Sequence, residues 1–244
     1  MIIGKPLLIL TNTANYPYLT FSSEAPFTLA CSSPQWDGTL QYSTDASVWT
    51  AWDGSTIQSA AGMTANVIYL RGTGNTKIAG SNAARFIISD DYPVSASGNI
   101  EALLDCATVA RNGHPTMAAS CFAYLFSNCV TLTAAPTLPA VTLSANCYQS
   151  MFENCVSLTA PHVFPVGDFP QYACRRMYYG CSSIRLNTTP GSPYTYSYRV
   201  SSETASPTVQ SGSFTDMFTN TGGVFTGTPS PGTVYYCTAQ PYSA

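Results

Sequence analysis

Three segments decide how this chain reads: CFAYLFSNCVTL (121–132), CYQSMFENCVSL (147–158) and CRRMYYGCSSI (174–184). Leu125, Met151 and Met177 recur every 26 residues, and so do Phe126, Phe152 and Tyr178. Cys129, Cys155 and Cys181 keep the same step, as do Leu132, Leu158 and Ile184. Leu138-Pro139 and Phe164-Pro165 form a further pair at that spacing. A degraded fourth copy, Phe214 to Phe218, places Met217 40 residues after Met177 and so follows a 14-residue insertion. Residues 99 to 106, with Leu103-Leu104, read as an atypical first cap. A period of about 20–29 residues with fixed apolar positions indicates a leucine-rich-repeat solenoid, in which each unit buries its apolar face against its neighbours. The repeat core is therefore expected at Leu125, Cys129, Leu132, Met151, Cys155, Leu158, Met177, Cys181 and Ile184.

Before the repeats, residues 1–92 carry short β-rich runs: Tyr18 to Phe21, Phe27 to Cys31, Leu40 to Tyr42, Val48 to Trp52, Val67 to Leu70 and Arg85 to Ile88. Turn pairs Asp37-Gly38 and Asp53-Gly54 punctuate them. Short strands with a turn signal every 8–12 residues or so argue for a β-sandwich. The expected fold class is thus mixed β and α/β: an N-terminal β-sandwich (1–92) followed by a short leucine-rich-repeat solenoid (93–244). The second part would hold an insertion near 187–211 and a C-terminal cap. Trp36, Trp49 and Trp52 read first as core or turn packing and second as a carbohydrate-stacking patch.

MFENCVSL (151–158), preceded by an apolar-Pro step, resembles the core of bacterial surface leucine-rich repeats of the BspA type, in a version with an added cysteine before the Met. Leu40 to Asp45 with Trp49, and Tyr69 to Gly72, are similar to a β-domain that precedes such repeats in gut-phage and gut-bacterial proteins. The resemblance covers about 40 to 190. It implies adhesion and surface recognition, with no catalytic residues to carry over. Two departures are the first cysteine of the third copy, displaced by one, and Thr221 in place of the fourth copy's second cysteine.

Composition narrows the function. Of the 244 residues 9% are charged, with nine Lys/Arg against twelve Asp/Glu. That excludes a basic nucleic-acid binder and, with 45% hydrophobic residues, a disordered chain. The apolar run Leu7 to Leu10 is too short for a secretory signal or a membrane helix, so neither Sec export nor membrane insertion is expected.

Nine cysteines invite a disulfide or metal reading. Cys121 and Cys129 are eight apart, about 12 Å along a helix, beyond the roughly 4.4–6.8 Å that a disulfide spans. Equivalent cysteines in neighbouring repeats would lie about 4.8 Å apart, so reduced thiols filling one small slot per repeat and inter-repeat bridges both stay open. No C-x₂₋₄-C pair exists to hold zinc. His114 and His162 read as solvated turn residues, and no nucleophile elbow, P-loop or H-E-x-x-H occurs. No catalytic, cofactor or metal site is expected.

What remains is recognition. Tyr194, Tyr196 and Tyr198 alternate with small hydroxyl residues, which places three rings on one side of a strand. Facing out, they would act like a paratope; facing in, they would cap the open end of the stack. Arg175, Arg176 and Arg185 form the one basic cluster. The expected protein is a non-enzymatic phage virion component (fibre, tail-tip or capsid decoration), assembled in the host cytoplasm. Its β-domain would meet other virion proteins, its repeats a host-surface protein or glycan, and a homo-oligomer is open. The alternative is a bacterial cell-surface adhesin; a glycan-active enzyme is more remote.

Overall fold

A computed structural model describes residues 16–89, 91–204 and 206–243; the apolar run Leu7 to Leu10 lies outside them. The chain is mainly β, with one short helix and several sheets among the described residues. In chain order the strands are β1 (Leu19–Ser23), β2 (Thr28–Ser32), β3 (Thr39–Ser43), β4 (Thr50–Trp52), β5 (Ile57–Gln58), β6 (Ala60–Ala61), β7 (Asn66–Thr73), β8 (Arg85–Ile88) and β9 (Val94–Ser97). Helix α1 (Ala102–Val109) follows, then β10 (Leu132–Ala134), β11 (Asp168–Phe169), β12 (Leu186–Asn187), β13 (Tyr196–Tyr198), β14 (Thr208–Val209) and β15 (Tyr235–Cys237).

The first half forms strands because its apolar residues alternate. Leu19 and Phe21 of β1 are buried while Thr20 and Ser22 between them are only partly so. A seven-stranded sheet runs in the order β10-β9-β1-β7-β3-β4, with β6 also on β7, and faces a three-stranded sheet β5-β2-β8. The two meet through Phe21 against Phe86 (ring centroids 5.9 Å apart) and Trp52 against Phe86 (5.8 Å). Since β9 and β10 belong to the large sheet, the expected boundary at residue 92 falls inside continuous hydrogen bonding.

The second half departs from expectation. The one helix among the described residues precedes the repeats and is itself interrupted at Asp105, whose carboxylate caps the N–H of Thr108. The α/β character expected of residues 93–244 therefore does not form. Nor do the strands there align as a leucine-rich-repeat sheet: β10 pairs with β9, β11 with β14 and β12 with β15.

The repeats instead fold as ribbons of successive turns. In the first copy the N–H groups of Ala123, Leu125, Ser127 and Cys129 bond to the carbonyl three residues back. The intervening N–H groups, of Ser120, Phe122, Tyr124, Phe126 and Asn128, donate to Ala145, Cys147, Gln149, Met151 and Glu153 of the next copy. The second copy reaches the third in the same way, from Asn146, Tyr148, Ser150, Phe152 and Asn154 to Gln171, Ala173, Arg175, Met177 and Tyr179. The third reaches residues 211–219, so the degraded fourth segment is structurally a full copy. In the first three ribbons, roughly half of the donors thus close local turns and half bind the next copy.

Every fourth residue takes a left-handed conformation: 120, 124 and 128; 146, 150 and 154; 172, 176 and 180; 212, 216 and 220. Asn, Asp or Gly occupies seven of these twelve positions, the residue types that tolerate it at least cost. The result is a four-residue side-chain period, two in and two out in the third and fourth copies and nearer three in and one out in the first. Phe122, Leu125 and Phe126 are buried while Tyr124 and Asn128 reach the surface.

Stacking follows from the shared register. Phe126, Phe152, Tyr178 and Phe218 form a column with ring centroids 5.3, 5.9 and 5.4 Å apart and nearly parallel planes. Phe86 meets its first ring edge-on, joining the column to the β layer. All nine residues expected as repeat core are at most 2% exposed.

The nine cysteines are buried, and all but Cys106 belong to the shared apolar interior. The thiols of Cys155 and Cys181 donate to the carbonyls of Phe126 (3.0 Å) and Phe152 (2.9 Å) in the preceding copy, and that of Cys129 to Phe86 (3.5 Å). Burial pushes Cys31, Cys147 and Cys237 up to about 12, and Cys121, Cys155 and Cys174 well above the ordinary thiol range. Thiolate is the reactive form. A thiol reagent at pH 8 should therefore label the native protein negligibly and titrate nine groups in denaturant; a count below nine would mean that some thiols are bridged.

Candidate functional site

The four-residue period turns one set of side chains outward on each ribbon, and stacking brings the sets together on one flank. Gln149 Nε2 donates to the Tyr124 hydroxyl at 3.0 Å, and Asn154 Nδ2 to Asn128 Oδ1 at 3.1 Å. Across the next junction Arg176 pairs with Glu153 (Nη2 to Oε1, 2.7 Å) and lies 3.8 Å from the Tyr179 ring centroid. The Glu153 carboxylate raises the Arg176 pKa further. Asn220 Nδ2 continues the flank by donating to the Tyr179 hydroxyl at 3.0 Å. Aromatic area, amides and one paired charge are thus held on a scaffold whose backbone is bonded on both sides.

The residues singled out from sequence divide. Arg176 belongs to this flank. Arg175 packs over the Tyr172 ring at 5.3 Å with a buried Nε that has no hydrogen-bond partner among the described residues. Arg185 is exposed on the segment after the third copy. The tyrosine strip does not present three rings outward. Tyr196 is 41% exposed and Tyr194 half-buried in a short bridge with Gly191, but Tyr198 is buried, edge-on against Phe218 at 5.9 Å. The strand ends under the column's last ring, and the apolar end of the stack draws Tyr198 in. Tyr124, Gln149, Glu153 and Tyr179 were missed because they fill the variable positions of the repeat, where only a four-residue period would flag them.

The two histidines differ: His114 is exposed beside its turn, as expected, whereas His162 is not a solvated turn residue. His162 is buried: its backbone N–H donates to the Tyr178 hydroxyl (2.9 Å), the hydroxyl donates to Nδ1 (2.7 Å), and Nε2–H donates to the Pro136 carbonyl (2.8 Å). A carbonyl can only accept, so the proton sits on Nε2 and the ring is neutral. Desolvation lowers its pKa to about 4. His114 Nδ1 lies 2.8 Å from Oε2 of Glu101, which is fully buried and whose Oε1 has no hydrogen-bond partner among the described residues. Burial raises the Glu101 pKa, against the opposing pull of His114.

Stability between pH 4 and 6.5 should follow His162. The unfolded imidazole titrates near 6.5 and the folded one near 4, so in that window the unfolded chain binds the extra proton. Its contribution is complete above about pH 6.5 and falls by about 3 kcal/mol as pH drops toward 4. Glu101, with its raised pKa, acts in the opposite sense. Comparing wild type with His162→Gln by urea unfolding across this range isolates the imidazole: the variant's profile should be flatter on the acid side, and parallel profiles would overturn the assignment.

No helix among the described residues is long and apolar enough to cross a membrane. Comparison with family models, with curated proteins and with solved structures returned no match.

Proposed function

We propose that this chain is a non-enzymatic structural protein of a phage particle, a fibre, tail-tip or capsid-decoration subunit that attaches to a host-surface protein or glycan. In this reading the stacked ribbons are a divergent, short solenoid related to BspA-type leucine-rich repeats, and the sandwich-like first half docks onto other virion proteins. The supporting observation is the outward flank of Tyr124, Gln149, Glu153, Arg176, Tyr179 and Asn220, tied across three ribbon junctions. Rigid tyrosines beside adaptable polar groups are the composition of adaptable recognition surfaces, and pre-ordering them lowers the entropy lost on binding.

The test has two parts. Mass spectrometry of purified phage particles alongside the bacterial envelope locates the polypeptide; recovery in the envelope alone would favour a bacterial adhesin. Tyr124→Ser with Tyr179→Ser, both at the surface, should abolish cell binding while the melting temperature stays nearly constant. Unchanged binding would remove the flank from the proposal.

A further inference from the structure

A second surface lies on the outer face of the large sheet, remote in sequence from the repeats. Arg71 of β7 stands opposite Gln41 of β3, and its Nε donates to Gln41 Oε1 at 3.0 Å. The Trp49 ring centroid lies 4.0 Å from the guanidinium carbon and that of Tyr16 5.9 Å. Tyr18 joins the cluster, 5.7 Å from Trp49 and 4.9 Å from Tyr69. The guanidinium is therefore clamped by ring faces and one amide. Its Nη groups make no hydrogen bond to a described residue and have no carboxylate within ion-pair distance among the described residues, and Arg71 as a whole is half-buried. Asp45, on the neighbouring turn, is occupied by the N–H groups of Ser47 and Val48.

Beside the cluster is an open recess of about 440 Å³ that Tyr16, Tyr18, Asn99 and Asn112 help to line. A row of hydroxyls, Thr20 opposite Ser97 and Ser22 opposite Ser95, continues along the sheet. Each part fits one ligand chemistry. An arginine held in plane with its outer donors free matches a carboxylate in two parallel hydrogen bonds. Tyrosine faces accept the apolar C–H face of a pyranose, and amides and hydroxyls match its ring hydroxyls. An acidic peptide would use the arginine but would have no need of the ring walls. We propose that this face binds a carboxylated sugar, a sialic or uronic acid residue of a surface glycan, with Arg71 taking the carboxylate and Tyr16 and Tyr18 the ring. This site is separate from the ribbon flank, so either could fail alone.

The experiment uses the full chain and titrates sialyllactose, oligogalacturonate, neutral lactose and polyglutamate by calorimetry. At least one acidic sugar should bind saturably, with lactose and polyglutamate weaker by about tenfold or more. Arg71→Gln should reduce acidic-sugar binding to the lactose level, and Arg71→Lys, which keeps the charge but loses the fork, should recover only part of it. Tyr18→Ala should also weaken it. Should a variant unfold, the wild type still decides: ligand must perturb the Trp49 side-chain resonance and leave that of Trp52, stacked on Trp36 in the core, unmoved. No saturable binding, equal binding of lactose, equal binding of polyglutamate, or an unperturbed Trp49 would each overturn the site.

Discussion

Phe152→Ala should destabilise the protein by about 3–5 kcal/mol, the range for deleting a buried aromatic side chain. Phe152 is fully buried at the middle of the column, nearly parallel to Phe126 and Tyr178, with the His162 ring at 5.5 Å. Alanine there removes three ring contacts at once and leaves a void whose walls, fixed by cross-ribbon hydrogen bonds, have little freedom to collapse. For a chain of this length the loss corresponds to a melting temperature lower by roughly 6–20 °C. The unfolding transition should stay cooperative, because the ribbons share one apolar interior with the β layer. A change below about 1 kcal/mol would mean that the rings touch without contributing, and an early separate transition would mean that the stack folds apart from the sheets.

Gly72→Ala should be comparably severe for a different reason. Gly72 lies on β7 where α1 is seated, and a Cβ there would overlap the carbonyl of Leu103. That carbonyl accepts from Asn75 Nδ2 (2.9 Å), which also donates to the Thr39 carbonyl (2.8 Å), while Asn75 Oδ1 accepts from the Gly38 N–H (2.6 Å). Relieving the overlap requires α1 to shift, and the shift breaks a buried hydrogen-bond junction between β3, β7 and the helix. Overpacking and the lost junction together should cost about 3–5 kcal/mol. Gly80→Ala is the control: its Cβ would meet the ends of two flexible side chains, Gln35 Oε1 at 3.2 Å and Lys77 Cδ at 3.4 Å, and the change should stay within about 0.5 kcal/mol. Equal chemical-denaturation midpoints for the two variants would refute the seating argument.

Much of the interior was legible in the sequence. The 26-residue step of Phe126, Phe152 and Tyr178 located the column, and the alternation in β1 located the inner face of the large sheet. The local geometry of the repeats was not, because a two-in, two-out pattern fits neither the period of a strand nor that of a helix. Whether Tyr194, Tyr196 and Tyr198 face out or cap the stack stayed open in the sequence for a related reason: alternation assigns residues to faces but does not say which face meets the apolar end of the column, and Phe218 claimed Tyr198 while Tyr196 stays exposed. His162 looked like a corner residue, yet it is buried through bonds to Tyr178 and Pro136 at separations of 16 and 26 residues.

By itself the sequence determined which side chains are equivalent, since identical spacing forces them into the same slot of successive units. Only the tertiary structure decided what those units are and what they leave outside. About half of the N–H groups of the first three ribbons find their acceptors in the next copy. The choice between turn, strand and helix was therefore made by hydrogen bonds between copies, which no single segment contains. The same holds for Arg71, whose ring and amide partners come from other strands and turns, brought around it by sheet pairing.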